Sequence, residues 1–419
     1  MFSPLDCSTR SIRLIEILPG DDPQIRCRFH VHELNLNTAS ADDDDENSSH
    51  GIVRSKETGS EYAETGSASS KLSDPKDVDL SKFTSLSYTW GPPEPASEIT
   101  INDQPLMIRQ NLWLALSSIR KKIKSKDFDG PRLFWIDAIS IDQKNLLERN
   151  HQVNMMKDIF SHASLVLVWL GSDGDNSSLA LKFISTISTR VGKLDENENE
   201  PSGPRSMTAV QKQAVDSLFK DLATQSLEEP IFTVCSRAYW TRLWIVQEVL
   251  LAEDLLVLCG EQFCNWESLK SLLVIVEYIF RSEDIPAEGI VMRLMYSPAG
   301  MFFENWDYKG GCRRYRDGIG GLIQQWSHQE CEDPRDRVYG LLGLAGNNAR
   351  FRLQADYSKT IDDIFEDLAP WLKSEYTSEW ERNYCFSIVA KALGCEVREG
   401  RGGRKGRKGR KGRKRANHD

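Results

Sequence analysis

Four short strand-like runs limit what this chain can fold into: "RLFWI" from Arg132, "SLVLVWL" from Ser164 and "DLLVLC" from Asp254, which are nearly all apolar, and "FTSLSYTW" from Phe83, which spaces its aromatic and aliphatic residues with Ser and Thr. A strand with one wet face alternates polar and apolar residues, so near-continuous apolar strands must be covered on both faces. Helical patterns lie between these runs, at Leu112, Leu116, Ile119 and Ile123 and again at Val153, Met156 and Phe160. Strands alternating with helices predict an α/β fold, a parallel sheet flanked by helices. Ligands of such sheets gather beyond the carboxyl ends of the strands. That rule singles out the Trp90–Gly91 turn, Asp137 to Gln143, and Gly171 to Asp175.

Around this core the sequence divides further. Residues 1–36 read as an N-terminal β-hairpin, with "RSIRLIEILPG" and "IRCRFHVHELN" flanking a Pro-Gly turn. Residues 37–80, including "ADDDDENSSH", are too polar to bury themselves and read as a disordered acidic linker. The core spans 81–262, with "EITINDQPLMIRQ" a hairpin turning at Asn102-Asp103. A mainly helical region follows at 263–396, where Asp333 and Pro334 suit the N-cap and first turn of a helix. Residues 397–419 form a basic low-complexity tail.

Of the 53 Lys and Arg, ten fall within residues 401–415 beside no acid, and the remaining 43 face 62 Asp and Glu. So acidic a body is a poor match for nucleic acid, which leaves the tail as the one polyanion-binding or nuclear-targeting candidate, against a plain reading as a solvated tail. No basic, apolar leader opens the chain, and the longest apolar run, "LKSLLVIVEYIF", is short and broken by Lys270 and Glu277. The expectation is a cytoplasmic protein, with the nucleus reachable through the tail, and no membrane partner. Nine cysteines without a C-x-x-C pair read as free thiols.

Several motifs fail their own tests. "DGDNSS" opens like a calcium loop, but Ser178 and Ile184 occupy its glycine and glutamate positions. Cys259 and Cys264 lack zinc-site partners, the Gly318 to Gly321 cluster follows no strand, and no P-loop or G-x-S-x-G occurs. No metal site and no bound cofactor is expected.

The stretch "SRAYWTRLWIVQEVLLA", residues 236–252, is the densest in chemistry. As one helix it would align Trp240, Trp244 and Glu248 on a stripe, opposite an apolar seam of Tyr239, Leu243, Val246 and Leu250. On that geometry Glu248 is not forced into the core. It is then either a solvated or salt-bridged carboxylate or a site residue, and the two indoles either pack or receive a ligand. Asp137, ending an apolar strand, is either a hydrogen-bond anchor or part of the site. Ser87, Tyr88, Trp90 and Gly91 either hold the first turn or line a pocket mouth.

"LSYTWG", "WIDAISIDQ", "QVNMMKDIFSHASLVLVWLG", "YWTRLWIVQE" and "DPRDRVYGLLG", in this order, resemble the fungal heterokaryon incompatibility (HET) domain. The resemblance is dense over about 83–260. It implies a role in fungal non-self recognition, in which such proteins trigger growth arrest or cell death when incompatible hyphae fuse. It implies as partners other incompatibility proteins or further copies of the chain. More distantly, the order Ser87, Asp137, "SLVLVWLG", Ser236, Trp244, Glu248 resembles the Toll/interleukin-1 receptor (TIR) fold, a flavodoxin-like core, despite a long insertion at about 172–235. In enzymatic TIR domains the glutamate of that helix is needed to cleave nicotinamide from NAD. That likeness makes Glu248 the candidate catalytic residue, NAD the candidate substrate, and Ser87, Tyr88, Trp90, Gly91, Asp137 and Trp244 the candidate binding residues. The alternative is a non-catalytic signalling or self-association module using the same surface.

Overall fold

The computed structural model describes residues 2–34, 79–192, 207–281, 289–307, 318–345, 353–376 and 378–395. The expected linker, apart from its last two residues, and the basic tail lie outside them. Nine strands form one mixed sheet: β1 (Ser11–Ile17), β2 (Arg26–Glu33), β3 (Thr84–Tyr88), β4 (Ala96–Ile101), β5 (Gln104–Arg109), β6 (Leu133–Trp135), β7 (Leu165–Trp169), β8 (Leu255–Cys259) and β9 (Gln262–Asn265). Their order is β5-β4-β2-β1-β6-β3-β7-β8-β9. The four strand-like runs are β6, β3, β7 and β8, and they pair in parallel, with β3, β6 and β7 buried along their whole length. Antiparallel hairpins extend the sheet on both sides, and β1 joins it antiparallel to β6.

Every residue of β3 and β7 is buried. Leu86, Tyr88, Leu167 and Trp169 face one layer, where the Gln110–Ser125 helix inserts Leu112, Ala115, Leu116 and Ile119. Phe83, Trp135 and Val166 face the other, with Ile159 and Phe160. The single helix expected around Val153, Met156 and Phe160 is two, Leu146–Asn154 and Met156–His162, the first capped by the Asn145 side chain on the Leu147 and Glu148 N–H groups. The expected turn between β4 and β5 has Asn102 and Asp103 at φ 48° and 60°, the left-handed pair of a tight hairpin.

The N-terminal hairpin is fastened to this core by a charge pair. Arg13, on β1, is 1% exposed and Glu148 equally so. Arg13 Nη1 donates to Glu148 Oε1 at 2.8 Å and to the Ser140 carbonyl at 2.6 Å, and Nη2 donates to the Ser3 carbonyl at 2.7 Å. Glu148 Oε1 also accepts the Asp142 N–H at 2.8 Å.

The region after β9 is helical, beginning with Trp266–Arg281 and ending with Ile361–Glu375 and Glu379–Leu393. The helix expected from Asp333 is a single turn, Asp336–Tyr339. Asp333 still does what a cap does, accepting the Arg335 N–H at 3.0 Å and pairing with the Arg335 guanidinium at 2.7 Å. Among the described residues no helix is long and apolar enough to cross a membrane, and no cluster of His, Cys, Asp and Glu has the makings of a metal site.

Candidate functional site

Counted in chain order within the parallel core, the strands run second, first, third, fourth (β6-β3-β7-β8). The chain leaves β3 in one direction to make β6 and returns past it to make β7, which opens a crevice at the carboxyl end of β3. A cleft of about 1140 Å³ occupies that position. One wall is Thr89, Trp90, Gly91 and Asp137 from the ends of β3 and β6, the floor holds Arg242 and Glu248, and residues 330–336 with Tyr357 and residues 359–361 make the far wall. The Gly171 to Asp175 turn does not line it.

The expected helix at 236–252 is broken, and the break makes the floor. Ala238–Thr241 is one 3-10 turn, Arg242 is extended (φ −73°, ψ 134°), and the α-helix covers only Ile245–Leu250. Helix propensity loses here to tertiary pairing: Leu243 N–H donates to the Glu330 carbonyl at 2.8 Å, and Glu330 N–H to that of Thr241 at 2.5 Å. The stripe is therefore dissolved. Trp240 is fully buried elsewhere, among Trp266, Phe302 and Phe303, with its N–H on the Val234 carbonyl. Trp244 lines the cleft, and Glu248, which the stripe did not force into the core, is 3% exposed on a helix buried all round.

A buried carboxylate must be hydrogen-bonded or paired. Ser87 Oγ–H donates to Glu248 Oε2, and the Ser87 hydroxyl also lies 2.8 Å from that of Tyr239. Arg242 Nη1 stands 3.6 Å from Glu248 Oε2 and makes no hydrogen bond of its own. Burial pushes the Glu248 carboxyl above the usual range, against the opposing pull of Arg242 and Ser87. Asp137 is similarly raised by burial, opposed by the same Arg242 and by the Trp90 N–H, which donates to Asp137 Oδ2 at 2.7 Å. Arg242 thus faces Glu248 on the floor and also draws on Asp137 in the adjoining wall. Ser87 and Tyr88 lie beneath the cleft surface, Tyr88 buried against Asp137. The Trp90 ring carries the Arg109 guanidinium 5.0 Å from its centre, and Arg109 also donates to the Gly91 carbonyl at 2.6 Å.

The far wall holds residues the sequence reading did not single out. Asp336 Oδ2 accepts the Trp244 N–H at 3.1 Å and Oδ1 the Tyr357 hydroxyl at 2.6 Å. Burial raises this carboxyl too, against those two hydrogen bonds. Arg149 sits over the Tyr357 ring, 3.7 Å from its centre. The one available signal for this wall was the acidic, arginine-rich "DPRDR", legible only as a helix start. Chemically the cleft offers a buried carboxylate poised against an arginine, two indoles held by aspartates, and cations at its side.

Residues 83–248 match the family model described as Heterokaryon incompatibility protein (HET). The chain is 26% identical over 317 residues to Heterokaryon incompatibility protein 6, OR allele, of Neurospora crassa, an overlap that covers 68% of this chain and 46% of that relative. The chain thus spans about half the length of the curated relative it matches. No solved structure matches it.

Proposed function

We propose that this chain, whose residues 83–248 match the heterokaryon incompatibility (HET) family model, acts in fungal non-self recognition, bringing about cell death by cleaving NAD in the cleft around Glu248. The observation that supports this most is the placement of Glu248. It is buried, held by Ser87 and faced by Arg242, on the floor of a large cleft at the point where the strand order reverses. Hydrolysis takes NAD and water to nicotinamide, ADP-ribose and a proton. As the ribosyl–nicotinamide bond breaks, its electron pair leaves with the ring and positive charge builds on the sugar. The ionised form of Glu248, which burial disfavours and the Arg242 guanidinium favours, is the one that stabilises that charge. Water then bonds to the sugar carbon and gives up its proton, for which Asp137 is a nearby acceptor. Trp244 offers a ring face to the cationic nicotinamide or to adenine, and Trp90 offers the face that Arg109 does not cover. The compartment is the cytoplasm; the eight cysteines described are free thiols, which suits a reducing environment.

One observation favours a second reading, a non-catalytic self-association or signalling module. The Tyr239–Ser87–Glu248 network ties β3 to the 238–250 segment, which is what a structural anchor does. Turnover separates the two. NAD consumption by the purified chain, with assembly followed by light scattering, is expected to fall on the order of 10²- to 10³-fold in Glu248→Gln while assembly is unchanged. An assembled, folded wild type that consumes no NAD, or a fully active Glu248→Gln, would overturn the enzymatic reading in favour of the second.

A further inference from the structure

The far wall of the cleft takes no part in the bond cleavage described above, yet its groups are held as firmly as those of the floor. Asp336 has both oxygens occupied, by Trp244 and Tyr357. Tyr357 in turn lies under the Arg149 guanidinium at 3.7 Å. The cleft's other cations differ in how far they are committed. Arg335 is bound to Asp333 and to the Tyr357 carbonyl, Lys359 to Asp367 at 2.6 Å, Arg109 to the Gly91 carbonyl, and Arg242 faces Glu248. Arg149 lines the cleft and forms no ion pair among the described residues. Its backbone is fixed from next door, since Glu148 is locked to Arg13.

A guanidinium laid on an aromatic face keeps its forked N–H donors at its edge, where they match the oxygens of a phosphate, and the stacking lowers the entropy lost on binding. We propose that Arg149 is the phosphate-binding residue of the cleft, positioned by the Trp244–Asp336–Tyr357 wall, and that the ligand class is a nucleotide whose phosphates lie against that wall. The site is then completed by residues outside the matched 83–248 stretch. The assignment rests on the NAD reading for the identity of the ligand, while phosphate recognition by Arg149 is a matter of binding alone.

The experiment titrates the whole chain with nicotinamide mononucleotide and with nicotinamide riboside, which differ by one phosphate, following tryptophan fluorescence at low salt. Wild type is expected to bind the mononucleotide more tightly. Arg149→Gln should weaken the mononucleotide by about tenfold or more, as for a lost charge-assisted hydrogen bond, and leave the riboside unchanged. Arg149→Lys, which keeps the charge without the fork, should fall between them. Equal weakening of both ligands in both variants, no weakening in either, or a wild type that binds the two ligands alike would overturn the assignment. If Arg149→Gln misfolds and loses both, Arg149→Lys decides by the same selective loss. Selective binding without NAD turnover ends the cleavage reading and leaves Arg149 in place; wild type binding neither ligand ends both.

Discussion

Arg13→Met leaves the Glu148 carboxylate buried without its counter-charge. Breaking one side of a buried pair costs about 3–5 kcal/mol, because the remaining ion is neither solvated nor paired. Both side chains are almost wholly inaccessible, so the full penalty applies here and not the small one of a surface pair. Two further losses come with it, since the Ser140 and Ser3 carbonyls give up the donors that Arg13 supplied. Arg13→Met/Glu148→Gln removes both charges, and the glutamine oxygen still accepts the Asp142 N–H. That double variant should lose only about 1–2 kcal/mol, for the carbonyls left unpaired. Its greater stability than Arg13→Met alone is the signature of the pair, measured as a double-mutant cycle by urea unfolding with tryptophan fluorescence. The pH dependence gives a second check. Burial alone would raise the Glu148 carboxyl, but the Arg13 hydrogen bonds and the Asp142 N–H outweigh it and hold the group below its ordinary value. A depressed carboxyl lends stability above its unfolded pKa of about 4.3 and loses it as pH falls through the folded value. The deficit of Arg13→Met should therefore shrink on acidification below about pH 5. A single-variant cost under about 1 kcal/mol, or a double variant no better than Arg13→Met, would refute the reasoning.

Glu248 carries the opposite sign. Burial raises its folded carboxyl, so its contribution to stability is whole below the unfolded pKa and lost as pH rises through the folded one. Glu248→Gln should unfold at an equal or higher urea concentration than wild type at pH 8, with the gap closing toward about pH 4; a midpoint well below wild type at pH 8 would contradict this. At Gly260, with φ +57°, an added Cβ would lie 2.6 Å from that of Asp173 and 2.9 Å from its backbone nitrogen. Gly260→Ala should cost about 1–3 kcal/mol and disturb the Asp173 cap on Ser177 and Ser178, read as a lowered unfolding midpoint; an unchanged midpoint counts against the strain.

What the sequence carried plainly was local. The apolar runs mark β6, β7 and β8, while β3 is marked by Phe83, Leu86, Tyr88 and Trp90 among buried Thr84, Ser85 and Ser87, and Asn102-Asp103 marks its hairpin because few residue pairs accept that turn. Asp137 stood out by its position at a strand end, and Glu248 by its place on the 236–252 stripe and by the TIR likeness. The burial of Glu248 did not stand out, because the 236–252 periodicity looks the same whether or not Arg242 is pulled straight by Glu330. The far wall was hidden for a related reason: Trp244 and Asp336 are 92 residues apart in the chain, and no pattern within either stretch encodes their meeting. Tertiary pairing decides such sites, and periodicity sees only the chain's own neighbours.

The place of β1 and β2 in the sheet limits where the protein can be cut. They lie between β4 and β6, so the stretch that matches the HET family, residues 83–248, contributes two separate blocks to the sheet: β5-β4 on one side, β6-β3-β7 on the other. Excising it would remove the hairpin that joins them and β8 beyond β7, baring the sides of β4, β6 and β7 at once. Unpaired strand edges recruit one another, so the isolated piece has the ingredients of an aggregate and not of a soluble domain. The family's signature in sequence and the smallest piece able to stand alone are therefore different objects in this protein.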